Sequence, residues 1–290
     1  GMMRIKDKSV KEVEELVETA LSVGINAFDL ADIYGRGRCE ELLGLVLKNR
    51  PDLREKMWIQ SKCGIRIEEF TYFDFSKDYI IKSVDGILQR LKIDHLDSLL
   101  LHRPDALMES DQVAEAFDLL YKQGKVRDFG VSNQNPMMME LLKKDVKQPL
   151  AVNQLQLSVA FTPGFESGFH VNMEDSQAAM RDGSIFEYCK LHDVVIQAWS
   201  VLQFGYFKGN FVGNEKFQAL NQVLDRLATK YGVTSSTIAI SWILRYPAKM
   251  QAVVGTTNPK HLREVSQAAN FSLTRKEWYE IYLAAGNNLP

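Results

Sequence analysis

The stretch Phe28-Asp29-Leu30-Ala31-Asp32-Ile33-Tyr34-Gly35 is the segment from which the fold of this chain can be worked out. Residues 27–30 form an apolar run that predicts a buried strand, and the chain from Ala31 onward predicts the loop at its carboxyl end. In a barrel of parallel strands, active sites are built at that end. A phenol such as Tyr34 can donate a proton there when its neighbours adjust its pKa. By itself, such a stretch more often marks a turn capped by Asp29 with Tyr34 packed beneath a loop.

The composition is typical of a globular protein and narrows its class. The 290 residues are 46% hydrophobic and 25% charged, a length close to that of one (β/α)8 barrel, roughly 250 residues plus insertions. A formal net charge of -2 gives no basis for binding nucleic acid or an anionic membrane. Cys39, Cys63 and Cys189 lie far apart and give neither a disulfide framework nor a zinc-binding spacing. With no apolar run near ~20 residues and no signal peptide, we expect a soluble cytoplasmic protein.

Strand-like and helix-like segments alternate along the whole chain. Short β-like runs lie at residues 2–5, 27–30, 58–62, 98–102, 127–131, 151–155, 194–200 and 252–254. The first helix is predicted by the one-sided apolar stripe Val10, Val13, Leu16, Val17, Ala20 and Leu21. Further helices are predicted at residues 39–48, 78–91 (opened by Ser76), 111–123, 136–144, 184–191, 236–245 and 261–269 (opened by Pro259). Eight alternations predict βαβ units that close into an α/β fold, the (β/α)8 TIM barrel.

Other segments depart from strict alternation. Two extra helices are predicted at residues 215–230 and 275–285, and long loops at residues 158–183 and 202–214 would lie at the mouth of the barrel. No GxGxxG fingerprint follows a strand, which argues against a Rossmann fold. Residue 1 leads directly into the first predicted strand. We therefore expect one domain over residues 1–290, with the plug that closes the bottom of the barrel missing from this sequence.

Polar side chains follow the predicted strands at corresponding positions. These are Asp29 with Tyr34, Lys62, His102, Ser132-Asn133, Asn153-Gln154 and Trp199-Ser200. Each alone is more often structural: a lysine after a strand is usually solvated, and a lone histidine or an Asn-Gln pair usually ties loops to the backbone. Their recurrence at the carboxyl ends of successive strands favours one shared site.

This set of residues resembles the aldo-keto reductase superfamily over essentially the whole chain. The stretch at residues 28–35, followed by Glu40-Glu41-Leu42-Leu43-Gly44, is close to the family's signature, and Lys125-Val126-Arg127-Asp128-Phe129-Gly130-Val131-Ser132-Asn133 is another. Each motif is weak alone, and together they are specific. The nearer likeness is to a bacterial oxidoreductase branch related to the potassium-channel β-subunit group, in which Trp takes the seventh-strand aromatic position.

The resemblance implies carbonyl reduction with four catalytic residues. A nicotinamide would supply the hydride, since no side chain can, and Tyr34 would supply the proton. Lys62 would lower the pKa of Tyr34, and Asp29 would keep Lys62 charged and oriented. His102, in its neutral form, would hydrogen-bond the carbonyl oxygen and orient the substrate.

The resemblance also implies the cofactor-binding residues. Ser132, Asn133 and Gln154 would bind the nicotinamide carboxamide, and Trp199 would stack on the ring. Ser200, Leu202, Gln203, Phe204 and Gly205 begin a loop that folds over the pyrophosphate in relatives. The turn Gly255-Thr256-Thr257-Asn258-Pro259 opens a helix whose free N–H groups suit the adenosine phosphate. Further expected contacts are Met2, Met3 (where relatives often have Thr and Trp), Asp29, His261, Glu264 and Val265.

Departures from the family pattern at three positions concern the 2′-phosphate of NADP. Many relatives have Lys and Arg where Gly255 and His261 stand here, and Asn210 stands where the channel-subunit group has Lys. Lys260 and Arg263 are near but not at the matching positions, and they are as typical of a solvated helix face. NADP(H) is the favoured cofactor with reduced selectivity, and NAD(H) use stays open.

Two other functions stay open beside an NADP-dependent reductase of aldehydes or ketones. The likeness to channel β-subunits allows a cofactor-binding redox sensor or regulatory protein with negligible turnover. A barrel hydrolase using Asp29 and Asp32 is disfavoured, since both lie in one loop and no second acid from another strand is evident.

The substrate is not encoded in any motif of this chain. Specificity would belong to the loops 158–183 and 202–214 and to the C-terminal segment ending at Pro290. An apolar, aromatic-rimmed pocket and simple loop packing both fit the aromatic residues there, which are Phe161, Phe165, Phe169, Phe204, Tyr206 and Phe211. The expected ligand is a small carbonyl or alcohol. We expect a monomer with no nucleic acid, membrane or metal ion bound.

Overall fold

The computed structural model describes residues 1–69, 71–169, 184–205 and 208–287, with the side chains of 167–169 left out. The chain divides into two compact units. The first unit comprises Gly1–Asn153 and Gly255–Pro259, and the second comprises Gln154–Val254 and Lys260–Pro290. The single domain expected from the sequence stays a prediction.

The strands of the structure form a curled parallel sheet and one small hairpin. They are β1 (Ala27–Asp29), β2 (Trp58–Cys63), β3 (Ile65–Ile67), β4 (Thr71–Phe73), β5 (Leu96–Leu101), β6 (Val126–Ser132), β7 (Leu150–Gln156), β8 (Val195–Trp199) and β9 (Met250–Ala252). The sheet has the order β1-β2-β5-β6-β7-β8-β9, and β3 pairs with β4 in an antiparallel hairpin. All six residues of β5 are buried, as expected for a parallel strand covered on both faces.

Helices follow the strands of the sheet, so the alternation of the sequence is realised. They are α1 (Val10–Ser22), α2 (Arg38–Asn49), α3 (Lys77–Leu91), α4 (Ser110–Lys122), α5 (Pro136–Lys143), α6 (Pro163–Phe169), α7 (Ile185–Leu191), α8 (Gln218–Tyr231), α9 (Ser235–Leu244), α10 (Pro259–Ser266) and α11 (Arg275–Ala284). Capping boxes fix the starts of α1 and α11, where Ser9 pairs with Glu12 and Thr274 with Glu277. No helix of the described ranges is long and apolar enough to cross a membrane.

Seven of the eight predicted strands are confirmed, and the first one is wrong. Residues 2–5 were expected to form a strand, but Met3–Ile5 is a 3-10 turn. The backbone N–H of Met2 donates to the carbonyl of Asp29 at 2.8 Å, and the chain then turns, because Ile5 N–H bonds back to Met2 O and Lys8 N–H to Ile5 O. These local bonds replace the ladder that a strand would need.

Smaller corrections concern segment boundaries and two missed elements. The strand expected at residues 252–254 lies at Met250–Ala252, so it ends two residues earlier. Ser76 occupies the N-cap position of α3, but its side chain makes no capping bond; its N–H donates to Asp74 instead. The β3–β4 hairpin and α6 were not predicted. Residues 170–183, the rest of the loop around α6, lie outside the described residues.

Close packing of α2 on α3 in the first unit depends on a glycine. A Cβ placed on Gly44 would lie 2.1 Å from the carbonyl oxygen of Arg90, well inside van der Waals contact with backbone. Gly86, inside α3, offers a contrast, because the atoms nearest to its Cβ would belong to the movable guanidinium of Arg90, with Nη1 at 3.0 Å. The backbones therefore touch at Gly44, where no larger residue fits without a shift of one helix.

Substitution of Gly44 tests this contact. Gly44→Ala should destabilise the protein by about 1–3 kcal/mol despite the higher helix propensity of alanine, because the new methyl group overpacks a rigid backbone contact. Gly86→Ala, at a helical position facing a movable side chain, should change stability by less than about 1 kcal/mol. Urea unfolding of both variants measures the difference. Equal stabilities would show that α2 and α3 are not in backbone contact.

Candidate active site

A buried ion pair joins the ends of β1 and β2. Asp29 is the last residue of β1, and Lys62 is the penultimate residue of β2. Lys62 is fully buried, and its ammonium lies 2.8 Å from Oδ1 of Asp29 and 2.6 Å from the carbonyl of Leu30. The side-chain amide of Gln60 donates to the same Oδ1 at 2.8 Å. These bonds compensate the desolvation of both charges, which would otherwise be strongly unfavourable.

Tyr34 is held against this pair by the loop that follows β1. Its hydroxyl oxygen accepts a hydrogen bond from Nζ of Lys62 at 3.2 Å. The loop turns sharply after Tyr34, where Gly35 and Arg36 both adopt left-handed backbone angles, with φ of 59° and 55°. A Cβ on Gly35 would lie 2.9 Å from Cβ of Lys6, so the close approach of two chain segments also requires this glycine.

His102 completes the group from the end of β5. It follows the last residue of β5 directly, and its backbone N–H donates to the carbonyl of Cys63 at 2.9 Å. Its ring meets the Tyr34 ring edge-on, with centroids 5.8 Å apart and an interplanar angle of 80°. The ring nitrogen Nδ1 is buried and has no hydrogen-bond partner within the part of the chain that the structure describes. The four residues expected to be catalytic are therefore brought together in the first unit.

Burial and neighbouring charges set the protonation of this group. Burial lowers the pKa of His102 to about 3, helped by the nearby charge of Lys62, so the imidazole is neutral as expected. Burial alone would lower the pKa of Lys62, but Asp29 and Tyr34 outweigh burial and hold it above its usual value. The ammonium therefore keeps its proton.

Lys62 acts on Tyr34 in the expected direction and lowers its pKa, but the net shift of that pKa is upward. Burial of the phenol raises its pKa, and the charge of Lys62 offsets burial only in part. The phenol is therefore protonated near neutral pH, the form that can donate a proton to an oxygen beside it.

Expected cofactor residues of the first unit lie at two places. Ser132 ends β6 and is buried, and its hydroxyl accepts from Nδ2 of Asn133 at 2.8 Å; Asn133 has a left-handed φ of 57°. In the turn before α10, the hydroxyl of Thr256 accepts the N–H of Asn258 at 3.1 Å, and the partly exposed Thr257 adjoins it. A Cβ on the partly exposed Gly255 would meet no atom of the described residues within 4 Å, so they leave open space beside this turn.

Of the two methionines expected to contact the cofactor, Met2 is buried and its N–H bonds to Asp29, while Met3 begins the 3-10 turn and is partly exposed.

Expected cofactor residues of the second unit follow β7 and β8. Nε2 of Gln154 donates to Gln197 at 2.9 Å, and Gln197 donates to Gln251 at 3.0 Å, which fixes the amide of Gln154 at the end of its strand. Trp199 ends β8 and is half-buried, and Ser200 has a left-handed φ of 54°. The loop residues that follow are Leu202 and Gln203 (half-buried), Phe204 (ring 5.1 Å from that of Phe217) and Gly205 (φ 156°).

The remaining expected contacts are less uniform. Oδ1 of Asn210 accepts the N–H of Val212 within its own loop at 2.9 Å. On α10, His261 is exposed, Glu264 lies 3.9 Å from Lys260, and Val265 is buried. Burial of Val265 on the packed face of its helix is the ordinary position of an apolar side chain.

Two residues near the four expected catalytic residues were not predicted from the sequence. Gln60 bonds to Asp29, and its signal was available, because residues two apart on a strand share a face and Gln60 precedes Lys62 by two. The charge of Arg103, next to His102 in the chain, acts on both His102 and Tyr34. An arginine after a strand gives no comparable sequence signal.

Among the aromatic residues proposed for a pocket rim, some are packing residues. Phe165 is buried against Phe186, Trp242, Tyr246 and Trp278, with ring centroids 4.6–5.8 Å apart, and Phe211 is buried beside Phe217. Phe161 is half-buried. The side chain of Phe169 and the whole of Tyr206 lie outside the described residues. At Phe165 and Phe211 the packing alternative is therefore the better one.

The aldo/keto reductase family matches the chain over residues 1–284. This chain belongs to the aldo/keto reductase family. The oxidoreductase YdhF of Escherichia coli is 35% identical to it, a match that covers 100% of this chain and 94% of the relative. A 6-dehydroglucose reductase of Agrobacterium fabrum is 33% identical, covering 98% of this chain and 92% of that protein.

A solved structure carries the same fold. The aldo-keto reductase of Klebsiella pneumoniae, crystallised in complex with NADPH, superposes with a TM-score of 0.76 at 21% identity, covering 97% of this chain and 88% of the other. The predicted fold class, the (β/α)8 barrel of aldo-keto reductases, is thereby confirmed. Membership in the family confirms the expected enzyme class as well: the chain is an aldo-keto reductase.

In this aldo-keto reductase, the Asp29–Lys62 pair gives a stability test. Asp29→Asn should destabilise the fold by about 3 kcal/mol, because it leaves a buried ammonium without its counter-charge. Lys62→Met in the same chain should restore most of that loss, since the uncompensated charge is removed. Denaturant unfolding of the single and double variants provides the measurement. Additive losses in the double variant would contradict a coupled buried pair.

Proposed function

We propose that this protein reduces aldehydes or ketones with NADP(H), with Tyr34 as the proton donor to the carbonyl oxygen. Carbonyl reductase activity follows from the family. The assignment of the donor rests on one observation. Nζ of the buried Lys62 lies 3.2 Å from the hydroxyl oxygen of Tyr34 and 2.8 Å from Oδ1 of Asp29. A phenol near neutral pH is a weak acid, and an adjacent cation stabilises the negative charge that develops as its proton leaves.

His102 would orient the substrate rather than move a proton. Its pKa near 3 keeps the ring neutral, so it can donate one hydrogen bond without competing as an acid. With the edge of its ring toward Tyr34 at 5.8 Å, both side chains can face the same small oxygen. An oxygen held by two groups from different strand ends has a defined position.

The residues present fit a nicotinamide cofactor. When bound, it supplies the hydride that no side chain can supply. The donors expected for its carboxamide are hydroxyl and amide groups, and their strand-end positions are fixed: Asn133 bonds to Ser132, and Gln154 bonds to Gln197. Oε1 of Gln203 is buried without a partner among the described residues, which suits a loop that has a ligand to bind. Crystallisation of the Klebsiella pneumoniae protein with NADPH supports the choice of cofactor.

The individual cofactor roles follow the sequence analysis. In the first unit, Ser132 and Asn133 would bind the carboxamide, and the open turn at Gly255 would approach a phosphate. In the second unit, Gln154 would bind the carboxamide and Trp199 would stack on the ring. The proposed neighbouring contacts are Met2, Met3, Asp29, Ser200, Leu202, Gln203, Phe204, Gly205, Asn210, Thr256, Thr257, His261, Glu264 and Val265.

The substrate class is a small molecule with an aldehyde or ketone group. The similar proteins of Agrobacterium fabrum and Novosphingobium aromaticivorans are both 6-dehydroglucose reductases, at 33% identity. An oxidised sugar such as 6-dehydroglucose is therefore the first polar substrate to place in a panel of simple aldehydes and ketones.

Replacing Tyr34 tests the proton donor. Tyr34→Phe should lower kcat for carbonyl reduction by about 10²–10⁴-fold, because the ring stays while the donated proton is removed. The affinity for NADPH, followed by quenching of tryptophan fluorescence, should stay within a few-fold of the parent.

Tyr121→Phe is the matched control for that variant, since Tyr121 lies exposed on α4 and should keep full activity. A Tyr34→Phe enzyme that reduces substrate as fast as the parent would refute the donor. Tight cofactor binding with no turnover on any carbonyl, already in the parent protein, would instead support a redox sensor.

Titration with NADPH and NADH tests the cofactor. NADPH should bind more tightly than NADH, by less than about 100-fold (about 2.7 kcal/mol). The difference should be small because this chain has a neutral turn and exposed cations where many relatives have the Lys and Arg that bind the 2′-phosphate. Lys260 is mostly exposed and shares an ion pair with Glu264, so its contribution should be modest and sensitive to salt. Equal affinities for NADPH and NADH would still agree with a carbonyl reductase but would contradict the preference for NADP(H). Failure to bind either nucleotide would contradict the proposal.

A further inference from the structure

Besides Asp29, the loop that carries Tyr34 has another carboxyl group, which the proposed chemistry does not use. Asp32 sits in the loop between β1 and Tyr34, and its backbone N–H donates to the carbonyl of Lys62 at 3.0 Å. Its carboxyl oxygen Oδ1 is buried and has no hydrogen-bond partner among the residues described. The carboxyl group of Asp32 accepts a hydrogen bond from the backbone N–H of Ile33. Asp32 as a whole is half-buried, but a carboxyl group with one buried oxygen that lacks a hydrogen bond is costly to ionise.

A fully buried glutamate of helix α2, Glu40, acts on Asp32 through its charge. Glu40 accepts hydrogen bonds from the hydroxyl of Ser61 at 2.6 Å and from Nε of Arg90 at 2.7 Å. Ser61 precedes Lys62 in β2, so the glutamate is tied to the same strand as the catalytic lysine. Two carboxyl groups that share a buried region oppose each other's ionisation.

The charged and titratable neighbours of Asp32 come from three elements. Glu40 lies on α2, Lys62 and Cys63 on β2, and Tyr79 and Arg90 on α3. Burial raises the pKa of Asp32 to about 7, and the charge of Glu40 adds to this shift, while Arg90 and Lys62 oppose it. The pKa of Tyr79 is raised to about 12 and that of Cys63 well above its usual value, so neither thiol nor phenol ionises near neutral pH.

We propose that Asp32 is a positioning residue for the carbonyl reduction: it carries a proton in acidic solution, and once ionised it offsets part of the Lys62 charge that Tyr34 experiences. The inference rests on the proposed function of Tyr34. A phenol beside a partly neutralised ammonium is a weaker acid, so reduction slows as Asp32 ionises. Asp32 touches neither the substrate nor the transferred proton and acts through Lys62.

Protonation of Asp32 can be measured without any turnover. An unfolded aspartate releases its proton near pH 4, whereas the folded parent holds it until about pH 7. Between these values the folded state binds more protons, so the parent loses stability as pH rises. The denaturant midpoint of Asp32→Asn minus that of the parent should therefore increase from about pH 4 to about pH 7. Above about pH 7 this difference should stay constant. A difference that does not vary with pH would overturn the proposal.

The kinetic arm follows kcat/KM for reduction across pH 6–8. The parent should lose activity by about three- to tenfold through this range, and Asp32→Asn should show a flat profile at the level of the acidic parent. In Glu40→Gln, kcat/KM should fall at a lower pH than in the parent, because the substitution removes the charge that opposes ionisation of Asp32. Where Glu40→Gln does not fold, the Asp32→Asn profile decides alone.

Asp52→Asn is the control for both arms. Asp52 is exposed, and its bond to Arg50 holds its pKa below the usual value, so it does not titrate between pH 6 and 8. Its kinetic profile should coincide with that of the parent. Parallel profiles of the parent and Asp32→Asn would overturn the positioning role. Absence of turnover in the parent at every pH would refute the proposed function and this role with it, while the stability arm still reports whether Asp32 holds a proton.

Discussion

The buried ion pair between Asp29 and Lys62 constrains the positions of the other two proposed catalytic residues, Tyr34 and His102. An ammonium with no exposed surface is tolerated only where its hydrogen bonds are satisfied, and here Asp29, the carbonyl of Leu30 and the hydroxyl of Tyr34 satisfy them. That requirement fixes the end of β1 beside the end of β2. It also brings the phenol beside a cation that stabilises its conjugate base. The geometry that keeps the lysine buried is thus the geometry on which the proposed role of Tyr34 as proton donor depends.

Strand β2 holds the rest of the group in place through its backbone. Its carbonyl groups accept N–H bonds from both neighbouring segments: Gln60 from Leu30, Lys62 from Asp32, and Cys63 from His102. The loops that carry Tyr34 and His102 are therefore anchored to the strand that carries the lysine. Sites supported by regular elements keep their geometry better than sites built on loops alone. On the far side, Glu40 and Arg90 connect the same strand to α2 and α3, so the packing of helices and the protonation of the site are linked.

Much of the fold and of the catalytic group could be predicted from the sequence because both leave periodic signals. Buried parallel strands are short apolar runs, and Lys62 and His102 stand where such runs end. The strand expected at residues 2–5 was wrong because Met2 and Ile5 are buried by a turn, and burial alone does not specify extended backbone. The upward pKa shift of Tyr34 could not be predicted either. It depends on how far burial of the phenol outweighs the charge of Lys62, a balance set by three-dimensional packing.

The most direct test of this account is a single-turnover experiment with the enzyme–NADPH complex and an aldehyde in H₂O and in D₂O. If the half-buried phenol of Tyr34 beside Lys62 delivers the proton, NADPH should be oxidised in one exponential phase that is slower in D₂O, because the hydroxyl of Tyr34 exchanges with solvent. Oxidation of NADPH at the same rate in both solvents would mean that proton transfer from Tyr34 does not contribute to the barrier. No oxidation with any carbonyl would contradict the assignment of this site as a carbonyl reductase.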